Sequence, residues 1–195
     1  MLCFLVMQTA RQLFTFRDYV ELEEVSRVKH EFLEGWVWAM AGGSPEHAAV
    51  AANVSTLLSN QLRGRPCRVF NSDLRVRVVA SGLGTYPDVT VICDKLELDP
   101  EDHKGHTVLN PFLIVEVLSP STEQYDRGEK FEHYKNIPSL REVVFVAHDE
   151  RRLDVWQCRD GEWKKETIRE DGNAYVRSLG CELPLDDVYA DPLSR

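Results

Sequence analysis

Hydrophobic and polar positions recur along this chain with two different periods, and the switches between them mark out its elements. Residues 15–24 (TFRDYVELEE) predict a short amphipathic helix, with Thr15 as N-cap and Asp18 three residues on. Residues 32–40 (FLEGWVWAM) are aromatic and apolar around Gly35, which predicts two short strands joined by a turn. Ser44-Pro45-Glu46 sets an N-cap residue, a first-turn proline and an acid in the order that opens a helix. Val50, Val54, Leu57, Leu58 and Leu62 then repeat at helical spacing as far as Gly64-Arg65-Pro66. Strands follow at residues 67–70, at 73–79 with Leu74, Val76 and Val78 on one face, and at 86–93 after a Gly82-Leu83-Gly84 turn. Residues 94–110 are polar and acidic and read as a surface loop, whereas 112–118 (FLIVEVL) is apolar on both faces, as a central buried strand is. Ser121 with Gln124 makes a capping box for a helix that Pro138 stops. Residues 142–147, 153–158 and 163–168 predict further strands, the last two joined at Asp160-Gly161. No repeat or low-complexity linker interrupts the 195 residues, so the expectation is one α/β domain with a mixed sheet.

Composition and charge change this picture in three places. The chain is 43% hydrophobic, enough for a core, and no apolar run approaches the ~18–20 residues of a membrane helix. Against 23 Lys and Arg stand 32 Asp and Glu, a net charge of −9, which excludes coating nucleic acid by bulk charge. The charge is uneven, however. Residues 61–78 carry Arg63, Arg65, Arg68, Arg75 and Arg77 against Asp73 alone, so a nucleic-acid contact would be local, with Arg75 and Arg77 as its candidates. Residues 94–102 and 149–195 hold much of the acid. The five cysteines are dispersed without a CxxC pair, a poor disulfide framework and a poor zinc site, and imply a reducing, cytoplasmic compartment. Residues 1–7 (MLCFLVM) are apolar but lack a basic n-region, so residues 1–12 are expected to be a flexible segment, with Met7 as an alternative start to Met1. Trp36, Trp38, Trp156 and Trp163 read as core and sheet packing, not as a base-stacking platform.

Two carboxylates carry the chemical signal. Asp88 follows Tyr86-Pro87 at the start of a strand, and Glu116 lies inside an otherwise apolar one. An ionised carboxylate there costs several kcal/mol, roughly, unless a cation or donors meet it. Carboxylates from neighbouring strands suit a hard cation such as Mg²⁺. Asp126, Lys130 and Tyr134 follow at i, i+4, i+8 on one helical stripe. Lys130 either reaches the site to hold a water or phosphate charge, or forms a surface ion pair with Asp126. No phosphate loop, zinc-hydrolase spacing or G-x-S-x-G elbow competes.

These residues resemble the PD-(D/E)XK nuclease superfamily of restriction-endonuclease-like folds, and within it the Uma-type family of bacterial endonucleases. The resemblance runs over about residues 13–190. It is carried by Lys29-His30-Glu31-Phe32-Leu33-Glu34-Gly35, Gly43-Ser44-Pro45-Glu46-His47, Ser72-Asp73-Leu74-Arg75-Val76 and Tyr86-Pro87-Asp88-Val89. It continues through Val115-Glu116-Val117-Leu118-Ser119-Pro120-Ser121-Thr122 and from Asp126 through Lys130 to Tyr134. It implies a restriction-endonuclease-like core, a central mixed β-sheet flanked by helices, and hydrolysis of DNA phosphodiester bonds with Mg²⁺ or Mn²⁺. Asp88 and Glu116 would be the metal ligands. The superfamily's lysine two residues after the second acid is absent, since Leu118 stands there, and the family resemblance moves that role to Lys130. Glu31 is the candidate for a further acid at the site, with Glu34 second; a solvated strand entrance explains both equally. His47 either approaches the site or caps its helix, and Asp73 either caps a turn or supports the metal ligands. By analogy with nucleases that cut both strands, a homodimer is expected. The missing lysine at 118 also motivates an alternative, a catalytically silent nuclease fold that binds nucleic acid or serves assembly. A hydrolase for another phosphate substrate is a third reading.

Overall fold

The computed structural model describes residues 13–148 and 150–190. The expectations for residues 1–12, a flexible segment and a start at Met7, lie outside the described residues.

Helix α1 (Phe16–Val25) is closed at its start by the capping box of Thr15 and Asp18. It packs Phe16, Tyr19 and Val20 on Phe32 of β1 (His30–Leu33). Strand β1 turns through Glu34 and Gly35, both at positive φ, into β2 (Trp36–Ala39). Helix α2 (Pro45–Gln61) starts at Ser44, whose hydroxyl accepts from the His47 amide. Then come β3 (Cys67–Asn71), β4 (Arg75–Val78), β5 (Leu83–Thr85), β6 (Val89–Cys93), β7 (Thr107–Val108) and β8 (Leu113–Val117). Gly82-Leu83-Gly84 is thus not simply a turn: β5 begins inside it and lies between β1 and β4. Gly84 is needed there because a Cβ would stand 2.9 Å from Tyr19 and 3.0 Å from Phe16.

The helix after β8 departs from expectation. It begins with α3 (Glu123–Tyr125) and has no capping box, because the Ser121 hydroxyl contacts Ser119 Oγ at 3.0 Å instead. It widens into a π-helical turn at Asp126–Lys130 and ends as α4 (Phe131–Tyr134). Strands β9 (Glu142–Val146), β10 (Arg152–Arg159) and β11 (Glu162–Arg169) follow as predicted. Strands β12 (Asn173–Val176) and β13 (Cys181–Pro184) and helix α5 (Leu185–Val188) carry no clear signal in the pattern.

Among the described residues the strands form three sheets. The largest is mixed, in the order β11-β10-β9-β8-β6-β3, with β8 parallel to β9. The second runs β2-β1-β5-β4-β7 and the third pairs β12 with β13. Strand β8 lies between β6 and β9, and its alternation decides what each face does. Leu113, Val115 and Val117 pack with Val50, Val54 and Leu58 of α2 and with the β12–β13 unit. Ile114 faces the other way, towards Phe131 and Tyr134. Glu116, two residues on, shares that second face. No helix among the described residues is long and apolar enough to cross a membrane.

One cysteine expectation is corrected. Cys67 and Cys93 are direct partners in the β3–β6 register and are joined by a disulfide. They stand 26 residues apart in sequence, and register, not spacing, brings them together. The cysteine pattern therefore no longer argues for a reducing compartment.

Candidate active site

Lys130 is the hub of the site. Its ammonium lies 2.9 Å from Glu116 Oε1, 3.1 Å from Glu31 Oε1 and 3.3 Å from Asp126 Oδ1. All four residues are buried, Lys130 at 3% and Glu116 at 4% exposure. Of the two readings of Lys130, the surface ion pair is thereby excluded: the pair with Asp126 exists, but below the surface. The π-turn carries both residues inward, and such widened turns are frequent at functional sites. Tyr134, one turn on, donates its hydroxyl to Glu116 Oε1 at 2.5 Å. Thr85, on β5 next to β1, donates to Glu31.

Asp88 stands at the mouth of β6. Its Oδ2 accepts from the Val117 amide at 2.8 Å and lies 3.3 Å from His47 Nε2. The register explains the first contact. Val89 pairs with Val115, so Pro87 falls opposite Val117 where the β6–β8 ladder ends, and the adjacent Asp88 carboxylate takes the Val117 N–H. Asp88 therefore fixes the end of the strand that carries Glu116.

The electrostatics follow from three carboxylates around one ammonium. Burial works against the Lys130 charge, but Glu116 and its neighbours outweigh it and hold the ammonium well above its ordinary pKa. Burial, with the charges of Asp126 and Asp88, pushes Glu116 upward despite Lys130. The hydrogen bond to Asp88 raises His47, against its partial burial. Burial and then Glu116 push the Tyr134 phenol far up, so it serves as a donor.

These groups line a cavity of about 350 Å³ that also takes in Trp38, Tyr125 and the Gly42-Gly43-Ser44 loop before α2. Of the residues singled out in the sequence, Asp88, Glu116, Lys130, Glu31, His47 and Asp126 line it, and Tyr134 supports it from behind. The others lie elsewhere. Glu34 is exposed in the β1–β2 turn. Asp73 pairs with Lys29 at 2.7 Å, away from the cavity.

Arg75 and Arg77 require correction as nucleic-acid contacts. Arg75 is 1% exposed, and its guanidinium is spent on Thr107, Tyr86 and Asp102 at 2.7, 3.0 and 2.9 Å. Arg77 donates to Asp99 and Glu101, both at 2.9 Å, and lies over the Phe16 ring. The acidic segment after β6 folds back onto them, burying Asp99 and Asp102. Both guanidinium charges are countered by these carboxylates and turned inward, so neither is presented to a phosphate. The packing role expected of all four tryptophans also fails in part. Trp156 and Trp163 pack on Phe131, but Trp38 is 36% and Trp36 52% exposed. Thr85, Tyr125 and Trp38 belong to the site without any local motif to mark them.

The donor chemistry suits a hard cation. Asp88 uses only Oδ2, and Glu116 only Oε1, in the contacts described, so each has a second carboxylate oxygen to offer. Four acidic side chains in one cavity also exceed what Lys130 and His47 can neutralise. Among the described residues no three His, Cys, Asp or Glu groups are already arranged as a metal cluster. Two carboxylates with waters are what Mg²⁺ ordinarily takes from a protein.

A mixed sheet with an acid at the end of one strand, a second acid inside the neighbouring one and a helical lysine beside the second is the arrangement of a restriction-endonuclease-like fold. Residues 16–186 match the Uma2 family, described as "Putative restriction endonuclease", and the chain belongs to that family. Two uncharacterized proteins of Synechocystis sp. are similar in sequence. One, slr1290, is 37% identical over 174 residues, covering 88% of this chain and 89% of that protein. The other, sll1609, is 33% identical over 153 residues, covering 78% and 85%. The crystal structure of a "putative nuclease belonging to DUF820" from Anabaena variabilis matches with a TM-score of 0.70. At 19% identity over 88% of this chain and 96% of that one, it supports the fold.

Proposed function

We propose that this chain is a Mg²⁺- or Mn²⁺-dependent endonuclease that hydrolyses DNA phosphodiester bonds. The observation that carries the reading is the reach of Lys130 from its π-turn to Glu116, with Asp88 at the neighbouring strand end. An ammonium thus stands beside the strand carboxylate although Leu118 fills the usual position. Asp88 and Glu116 would hold the cation, which when bound supplies charge stabilisation at the phosphate. Lys130 offsets negative charge as the phosphate becomes five-coordinate, and orients the attacking water by turning one N–H from a carboxylate partner to that water. Glu31 and Asp126 hold that ammonium in place, Tyr134 fixes the Glu116 carboxylate, and His47 steadies Asp88. A cytoplasmic setting and a homodimer belong to the same proposal.

Plasmid DNA with Mg²⁺ and purified protein tests it. Lys130→Ala and Asp88→Ala should each lower nicking by about 10²-fold or more, the scale of losing one transition-state donor. Equal nicking by wild type and both variants would trace the activity to a contaminant and overturn the proposal. Leu118 in place of the superfamily's lysine motivates the second reading, a silent nucleic-acid-binding or assembly module. That reading requires metal-independent DNA binding with no cleavage in Mg²⁺ or Mn²⁺.

A further inference from the structure

Strand β2 exposes two indoles, Trp36 and Trp38, and Trp38 lines the cavity. Trp38 pairs across the strand with Glu31, and Trp36 with Leu33, so both indoles lie on the sheet face that carries Glu31 to Lys130. Strand β2 is the edge of its sheet, with no strand beyond it among the described residues. Trp38 lines the cavity and meets the Tyr125 ring edge-on at 6.4 Å between centroids. The Tyr125 ring in turn lies 6.0 Å from the Lys130 ammonium. Trp38 and Tyr125 therefore form an aromatic ledge from the exposed strand edge to the buried charges.

We propose that this ledge stacks an unpaired base, and that the site selects DNA whose scissile nucleotide is single-stranded over intact duplex. The inference rests on the nuclease reading and names its substrate class. Three observations converge on it. The groups that would act on the phosphate, Lys130 and Glu116, are at most 4% exposed, beneath a cavity of about 350 Å³. A flexible single strand can bend its backbone into such a recess, whereas a stiff paired duplex must be deformed to follow it. The net charge of −9, with Arg75 and Arg77 turned inward, leaves little backbone attraction to hold a duplex. Stacking on exposed aromatic rings supplies affinity without that charge and without reading sequence.

The test measures binding in EDTA by fluorescence anisotropy, with labelled oligo(dT) and a blunt duplex of equal length. Wild type should prefer oligo(dT), and Trp38→Ala should weaken that binding about tenfold. Trp38→Phe should keep most of it, and duplex binding should not change. Saturating oligo(dT) should also quench the indole fluorescence of the wild-type protein, a readout that needs no variant to fold. Equal affinity for the two DNAs, full binding by Trp38→Ala, or unquenched fluorescence would each overturn the proposal. Preference and quenching without cleavage in Mg²⁺ or Mn²⁺ would support the ledge and overturn the nuclease reading instead.

Discussion

Asp102 lies in a stretch whose composition reads as solvent-facing, yet it is buried against Arg75. Burial drives its carboxyl up, but hydrogen bonds from Thr107 and Arg75 outweigh this and draw its pKa down to about 2. A lowered carboxylate stabilises the fold above its unfolded pKa of about 4, and that contribution fades as pH falls through about 2. Asp102→Asn should therefore cost about 3–5 kcal/mol near pH 7, since it leaves Arg75 buried without its counter-charge. The difference should shrink towards about pH 2, as urea midpoints of both proteins will show. A gap that does not change with pH would assign the loss to packing. The candidate site has the same divided legibility. Glu116 stood out in the sequence because a charge in an apolar strand demands a partner, and Asp88 by its place after Tyr86-Pro87 at a strand start. Glu31 and the site role of Lys130 came instead from the family resemblance. Thr85, Tyr125 and Trp38 did not stand out, because their roles depend on which strand lies beside which. Arg75 and Arg77 were misread for that reason: a count of arginines does not reveal their partners.

At the scale of elements, the long helix α2 and strand β8 were legible because each satisfies a strong period. Strand β5 was hidden because two glycines in three residues read as a turn. The second of them, Gly84, is the contact surface for α1, whose Phe16 and Tyr19 rings close over it. Gly84→Ala should destabilise the fold by about 1–3 kcal/mol through overpacking. An unchanged denaturation midpoint would mean that α1 moves aside freely. The helix after β8 shows the opposite failure, a capping signal present in sequence and unused in space. Ser119 engages the Ser121 and Thr122 hydroxyls, and the helix begins without a side-chain cap. Its next turn is the π-turn that points Lys130 at β8, a geometry that no residue spacing announces.

Taken as a whole, the molecule is acidic outside and has folded part of its positive charge inward. Binding to single-stranded DNA should therefore depend weakly on salt. The slope of log affinity against log salt should be about −2, compared with about −10 for a strongly cationic DNA binder. A slope beyond about −5 would require a basic face that the pairing of Arg75 and Arg77 does not leave. Strand β8 has two cores pressed against its faces, and its last amide belongs to neither. The Val117 N–H is closed by the Asp88 side chain, so one proton in the middle of the molecule is guarded by a group from the site. Its exchange with deuterium is a clock set by that carboxylate. In Asp88→Ala the Val117 amide should exchange faster by more than about tenfold, the equivalent of losing about 1.4 kcal/mol of protection. The amides of Ile114 and Val115 should keep their pace, so a single site-resolved exchange rate reports whether Asp88 is in place, with no substrate or metal present.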